Sequence, residues 1–346
     1  MIRKLVSVLV VCSLAFPLFA GEPDVLAQQL GAGEAVNGFP NWAERVIHEW
    51  MNRARVDPQA DLTGCGAGCA DRACYSAMPP LYWSEALNRS ARYHADEQSK
   101  QGYFDHNSHC TIVSNIDALY PAGCDGSASC GCVGGTSSCP TGGCTSWAER
   151  IGLFGGGASG EIIASTSDPD QTFYLWLWEY SNNSTCTFGG TAGHRWLILE
   201  SIGSVGVGVS GQSVGDFGGG PASYRIASGS HYPQQAASAQ LWANWYDANV
   251  PRSAAAVVDG RCISMSLKRG TPKNGAWSAT ATGVGSGCHR YYFSFIDSTG
   301  AEVTYPATGS LAIGTGAACA DWDATRLRAT CTSTPPLPSR HRSARH

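Results

Sequence analysis

Gly193-His194-Arg195-Trp196-Leu197-Ile198-Leu199 and Gly160-Glu161-Ile162-Ile163-Ala164 share one pattern: a glycine, an ionisable residue, then mostly apolar side chains. Each run places a charge-capable group at the mouth of an element whose apolar remainder is buried. A third such residue, His106, stands in Gly102-Tyr103-Phe104-Asp105-His106-Asn107-Ser108, directly after an amphipathic helical stretch. Two histidines and a glutamate from three separated elements are expected to meet in one polar pocket.

The elements around these runs follow from spacing. Asn41 is positioned to cap a helix from Trp42 to about Val56, with Val46, Ile47, Trp50, Met51 and Ala54 at helical intervals. Asp57-Pro58 ends it, because the residue before proline is pushed out of helical geometry. His48 on this helix reads as a surface residue. A second helix, capped by Ser84, carries Leu87, Ala91, His94 and Gln98 along one face, where His94 is expected to pack and make a hydrogen bond. A third begins near Asp168-Pro169-Asp170, whose proline and acidic first turn suit a helix start, and runs through Trp176 and Trp178 to Glu179. Trp176, Trp178 and Trp196 read as core. Val205 to Val209 and Tyr224 to Ala227 read as strands. Gly206, Gly208 and Gly211 fit a G-x-G-x-x-G pattern, but no helical pattern follows, which argues against a dinucleotide site.

Composition narrows the class. Arg3 and Lys4, the apolar stretch Leu5 to Phe19 and the small residue Ala20 read as a secretory signal over residues 1–20, followed by a leader over 21–38. No other segment is apolar enough for a membrane span. Of fifteen cysteines, Cys12 falls in the signal, leaving an even number for a disulfide framework, the default in an oxidising compartment. A zinc-thiolate site is the rival, with Cys130-Gly131-Cys132 its nearest approach. The net charge of −4 and the scattered basic residues argue against nucleic acid as a partner. Residues 110–144 read as a cysteine-rich insertion held by bridges, because Gly, Ser, Thr and Cys cannot build an apolar core. From residue 236 to 333, short β-rich runs and Cys262, Cys288, Cys319 and Cys331 predict a β-sandwich domain with two internal bridges. Residues 334–346 read as a disordered basic tail.

Seven phrases in order resemble the CAP superfamily (cysteine-rich secretory proteins, antigen 5 and pathogenesis-related proteins), closest to its bacterial secreted branch. They are Met51-Asn52-Arg53-Ala54-Arg55-Val56-Asp57-Pro58, Leu81-Tyr82-Trp83-Ser84-Glu85-Ala86-Leu87, Ala91-Arg92-Tyr93-His94-Ala95-Asp96, Gly102-Tyr103-Phe104-Asp105-His106, Gly160-Glu161-Ile162-Ile163-Ala164, the third helix, and Gly193-His194-Arg195. The resemblance implies an α+β fold: a three-layer α-β-α CAP sandwich over residues 39–232, followed here by the small disulfide-bonded all-β domain. It also implies a cleft lined by His106, Glu161, Glu179 and His194, in which some members bind a divalent metal such as zinc; His106 and His194 would be the metal ligands. Two departures stand out. Ile162 replaces the usual asparagine after Gly-Glu, and Leu197-Ile198-Leu199 replaces the usual Asn-Ile-Leu.

Two imidazoles and two carboxylates in one cleft can bind a metal, or simply knit three elements together through hydrogen bonds. No His-Glu-x-x-His, Gly-x-Ser-x-Gly or placed nucleophile is present, so no catalytic residue is assigned. The primary expectation is therefore a secreted, monomeric, non-enzymatic protein binding a small, hydrophobic ligand or a divalent metal. One alternative is a metal-dependent hydrolase with Glu161 as base. Another is cell-surface or glycan adhesion through the β-domain, with Trp277, Tyr291, Tyr292 and Trp322 as an aromatic platform.

Overall fold

Helix α1 (Trp42–Val56) starts where its sequence says it should. The Asn41 side chain accepts from the Glu44 N–H at 3.0 Å, and the Glu44 carboxylate accepts from the Asn41 N–H at 2.8 Å, a reciprocal capping box. Asp57 ends it and caps the one-turn helix α2 (Pro58–Leu62). The computed structural model describes residues 40–128, 130, 132–133, 143–219 and 224–331; the expected signal, leader and basic tail, and the middle of the cysteine-rich insertion, lie outside these described residues.

The first sheet joins β1 (Tyr82–Trp83), β4 (Gly160–Ala164), β5 (Ser204–Ser210) and β6 (Gln212–Gly218) in the order β1-β5-β6-β4. Only β1 and β5 pair in parallel; β5 and β6 form a hairpin that turns at Gly211, whose φ of 70° favours glycine. Helix α3 (Glu85–Gln101), capped by Ser84 and closed by left-handed Gly102, lies across β5 and β6. A side chain at Gly206 or Gly208 would collide with the α3 backbone at Asn88 and Arg92. These glycines thus admit a helix, which is the physical reason for the G-x-G run. Val205, Val207 and Val209 point the other way, into a core shared with α1, α6 (Pro169–Leu177) and α7 (Gly193–Glu200). Helices α4 (Ile116–Leu119) and α5 (Trp147–Leu153) and the short ladder of β2 (Thr111–Ile112) with β3 (Cys132–Val133) complete this mixed α and β region.

Two further sheets pack face to face. One has the order β11-β12-β8-β7, from β7 (Ile226–Tyr232), β8 (Ser238–Tyr246), β11 (Ser266–Thr271) and β12 (Asn274–Thr282). The other runs β10-β9-β13-β15-β16, with β14 (Glu302–Tyr305) beside β13 (His289–Ile296); its remaining strands are β9 (Ser253–Val258), β10 (Arg261–Ser264), β15 (Ser310–Ile313) and β16 (Trp322–Asp323). Leu241, Ala243 and Trp245 meet Tyr291, Phe293 and Phe295 between them, with Trp245 stacked on Phe295 at 5.3 Å. Strand β7 precedes the boundary expected at 232–236, yet it is hydrogen-bonded to β8 in this second sheet. The aromatic platform expected on the β-domain is not formed: Tyr291 and Tyr292 are buried, and Trp277 packs edge-on against Phe295. Alternation along β13 turns Tyr291 into the core, while Tyr292, on the opposite face, is covered by Arg326 at 4.4 Å over its ring.

The outer face of the β7–β8–β12 sheet rests on α1, so α1 is covered on two sides. Trp50 meets Trp242 edge to face at 6.4 Å, and the Arg53 guanidinium lies 4.0 Å over the Trp50 ring. Asp61 pairs with Arg53 at 3.2 Å and with Arg269 of β11. This double packing corrects the surface reading of His48: it is 1% exposed, with Nε2 at 2.8 Å from the Leu81 carbonyl. Trp178, read as core, lies beyond the last turn of α6 and is 38% exposed.

Disulfides join Cys65–Cys69, Cys74–Cys186, Cys124–Cys130, Cys262–Cys331 and Cys288–Cys319, and Cys110 and Cys144 are also disulfide-bonded. The last two named pairs are the two internal bridges expected of the β-domain. No helix among the described residues is long and apolar enough to cross a membrane.

Candidate functional site

His106 leaves α3 four residues beyond its glycine cap, on a loop held from both sides. The His94 ring reaches the Asp105 carbonyl at 2.8 Å, and the Asp105 carboxylate accepts from the Asn107 N–H at 2.9 Å. His106 Nδ1 faces Glu161 Oε1 at 2.9 Å, while its side chain is 46% exposed. Glu161, on β4, is nearly buried, and its other oxygen is paired with the Arg150 guanidinium.

Arg150 organises this end of the cleft. It projects from α5, is fully buried, and donates to Ser108 Oγ at 2.8 Å and to the His106 carbonyl at 3.1 Å. Glu97 lies 3.9 Å from it and binds His94 Nδ1 at 2.6 Å across one helical turn. Burial opposes the charge on Glu161, but Arg150, the His94 ring and the His106 hydrogen bond outweigh it and bring the carboxyl down to about 2. Burial likewise opposes the charge on Arg150, and Glu161, Asp216 and Glu97 more than compensate, raising its pKa.

His194 and Glu179 form the second half. Glu179 follows α6, and its Oε2 accepts the His194 backbone N–H at 2.8 Å. Ala192, the residue before α7, offers no side-chain cap, so Glu179 supplies an anionic acceptor to a helix start that lacks one. The same oxygen is 3.6 Å from His194 Nδ1. Burial lowers the pKa of His194; Glu179 works against that, and the charge on His106 adds to it. The four residues anticipated from sequence thus form two histidine–carboxylate pairs, His106 with Glu161 and His194 with Glu179. In both halves a histidine Nδ1 is turned toward a carboxylate, which leaves Nε2 as the nitrogen available for other partners.

Arg150, Glu97 and Asp216 escaped the sequence reading. The signals were slight: a His-x-x-Glu spacing in His94–Glu97, and a charge at Asp216 that shares a strand face with Val214. His109, which could have approached the cleft, stacks on Tyr103 at 4.0 Å and is held by Asp105. Among the described residues, no three His, Cys, Asp or Glu side chains stand together as a group able to hold a metal ion.

An apolar groove of about 300 Å³ is lined by Ser159, Phe188, Trp196, Leu197, Ser201 and Ile202. Leu197 is one helical turn past His194, and Ser159 precedes the strand that carries Glu161. Phe188 and Ile202 are 64% and 80% exposed. One of the sequence departures, leucine at 197, thus lies on the groove wall, while Ile162 is fully buried in the core.

Comparison with known proteins gives one family: residues 74–228 match the model described as CAP, the cysteine-rich secretory protein family. No curated protein matches. Among solved structures there is a likeness to the type III pullulan hydrolase from Thermococcus kodakarensis, with 17% identity and a TM-score of 0.17. It covers 20% of this chain and 11% of that enzyme, far too little to carry any inference.

Proposed function

The chain carries a domain of the CAP family, and from that premise we propose that it is a secreted, non-enzymatic binding protein whose His/Glu cleft and adjoining groove take a small hydrophobic ligand. We read α3 on one face of the first sheet, and α1, α6 and α7 on the other, as an α-β-α sandwich. The disulfides favour an oxidising, extracellular setting.

The observation that carries this reading is the groove. An exposed concave surface built from Phe188, Trp196, Leu197 and Ile202 is costly to leave in water and belongs to a binding site more often than to idle surface. The cleft histidines at one end supply polar contacts for the head of such a ligand. Titration with a fluorescent fatty-acid analogue and a fluorescent sterol tests it. Saturable binding with quenching of Trp196, weakened about tenfold or more by Trp196→Ala, is expected. Failure of both probes to bind would sink the reading.

A second reading is a divalent ion held through Nε2 of His106 and His194. It is favoured by the carboxylate behind each Nδ1. The donor set is thin, because Glu161 is committed to Arg150 and Glu179 to the start of α7. Two imidazoles would leave most of the shell to water, short of a closed structural zinc site. Isothermal titration of zinc beside a His106→Ala, His194→Ala double variant decides this reading; heat unchanged in the variant would rule it out.

A further inference from the structure

Directly across the ladder from Glu161 stands Asp216. Paired residues on neighbouring strands project to the same face of a sheet, with their Cβ atoms about 5 Å apart. Asp216 is fully buried, and neither of its carboxyl oxygens makes a hydrogen bond within 3.5 Å, although the Ser90 hydroxyl bears on it. Its polar surroundings come from every element packed on it: Glu161 on β4, Arg150 on α5, and Ser90 on α3. On its other side the ladder offers only Gly206.

Arg150 is the guanidinium of this buried cluster, and it is already paired with Glu161, with Glu97 3.9 Å away. An ionised Asp216 would add a further anion, buried next to a carboxylate with the Ser90 hydroxyl as its nearby donor. A buried charge with no partner is among the costliest arrangements in a protein. A carboxylic acid in the same place has a single O–H to satisfy, and the acceptor opposite it is Glu161.

We propose that Asp216 is a positioning residue: it keeps its proton at neutral pH and offers it to Glu161, which stays ionised with its outer oxygen on His106. The pair then behaves as one carboxylic acid and one carboxylate, as two adjacent carboxyls must when they cannot both ionise. Burial first, and the charge of Glu161 next, push Asp216 well above the usual carboxylate range, against the pull of Arg150. The hydrogen bond from Asp216 is also among the influences that hold Glu161 down. The consequence for binding rests on the cleft reading given above; the proton itself does not.

The experiment is 13C NMR of the side-chain carboxyls in the full chain, with Asp216 assigned through its own backbone so that no variant is needed to identify it. An Asp216 carboxyl still protonated at neutral pH supports the proposal, and an ionised one overturns it. Glu161→Gln removes the neighbouring charge and should move the Asp216 titration downward by about one unit or more; an unmoved titration also overturns it. Binding of the fatty-acid probe then separates the two readings. Asp216→Asn, whose amide N–H replaces the O–H, should keep wild-type affinity, while Asp216→Leu, without a donor, should lose severalfold. Equal affinity in both would refute the positioning role. If no probe binds, the cleft reading fails alone and the carboxyl measurement still decides the proton.

Discussion

Two places where histidine and carboxylate stand close together behave differently. In the cleft, His106 meets Glu161 through Nδ1 with its side chain 46% exposed. In the seam between α1 and the second sheet, His48 and Glu49 are sealed. Glu49 accepts from Ser228 Oγ and Asn244 Nδ2, both at 2.6 Å, and Asn52 ties Leu81 to Ser228. Burial lowers the pKa of His48 to about 4. The residue types are alike; what differs is whether the side chains are open to solvent, 46% exposed at His106 against a sealed His48. A hydrogen-bonded group sealed inside the protein is adhesive, whereas one that reaches the surface can bind something else.

The sharpest way to break this contrast is at the buried root of the cleft. Arg150→Met keeps the length of the side chain but strands the Glu161 and Glu97 carboxylates without their cation. A loss of about 3–5 kcal/mol is expected, because removing one partner of a buried ion pair leaves the other uncompensated. His106→Ala, at the exposed end of the same chain of contacts, should cost under about 1 kcal/mol. Urea unfolding of the two variants checks this. Similar losses from both would mean that the cleft is a sealed network like the seam.

The seam gives the next largest effect, and its sign is fixed by burial. Burial raises Glu49 from 4.5 to about 7, against the hydrogen bonds from Ser228 and Asn244 and the charge on Arg53. A carboxyl raised in the folded state favours folding fully below its unfolded value, and that contribution disappears as pH climbs through about 7. Glu49→Gln cannot ionise, so the variant should match wild type near pH 4 and exceed it above pH 8, by up to about 3 kcal/mol on the linkage relation. Thermal unfolding across that range reads the difference directly. A gap that stays constant with pH would show that Glu49 is solvated, and that the seam between α1 and the second sheet is not sealed.

These contrasts explain what could be read from sequence and what could not. The caps at Asn41 and Ser84 were legible, because a side chain satisfying a helix N–H three residues later is a local event. The two histidine–carboxylate pairs were suggested because each member stands beside a short recognisable run. His48 was misread for the opposite reason. Its helix shows one apolar stripe, and nothing within α1 announces that Ser228 and Asn244 will cover the other face. Arg150 and Glu97 look like surface charges on amphipathic helices until the loop bearing Ser108 closes over them. Asp216 was the most readable of the missed residues, since the alternation Val214-Gly215-Asp216 puts a carboxyl on a buried strand face.

The smallest structural effect is expected where the functional one should be plain. Ile202 is 80% exposed on the wall of the apolar groove, so Ile202→Ser removes little that folding uses, and stability should stay within about 0.5 kcal/mol of wild type. A bound hydrocarbon, however, would cover that side chain. Losing the contact should cost roughly 1–1.5 kcal/mol of binding, a five- to tenfold weaker fatty-acid probe. No variant in the seam can separate the two readouts in this way, because its side chains touch only the protein. If Ile202→Ser leaves both stability and probe binding unchanged, the groove is ordinary surface. The contrast between cleft and seam would then rest on the imidazole nitrogens of His106 and His194 alone.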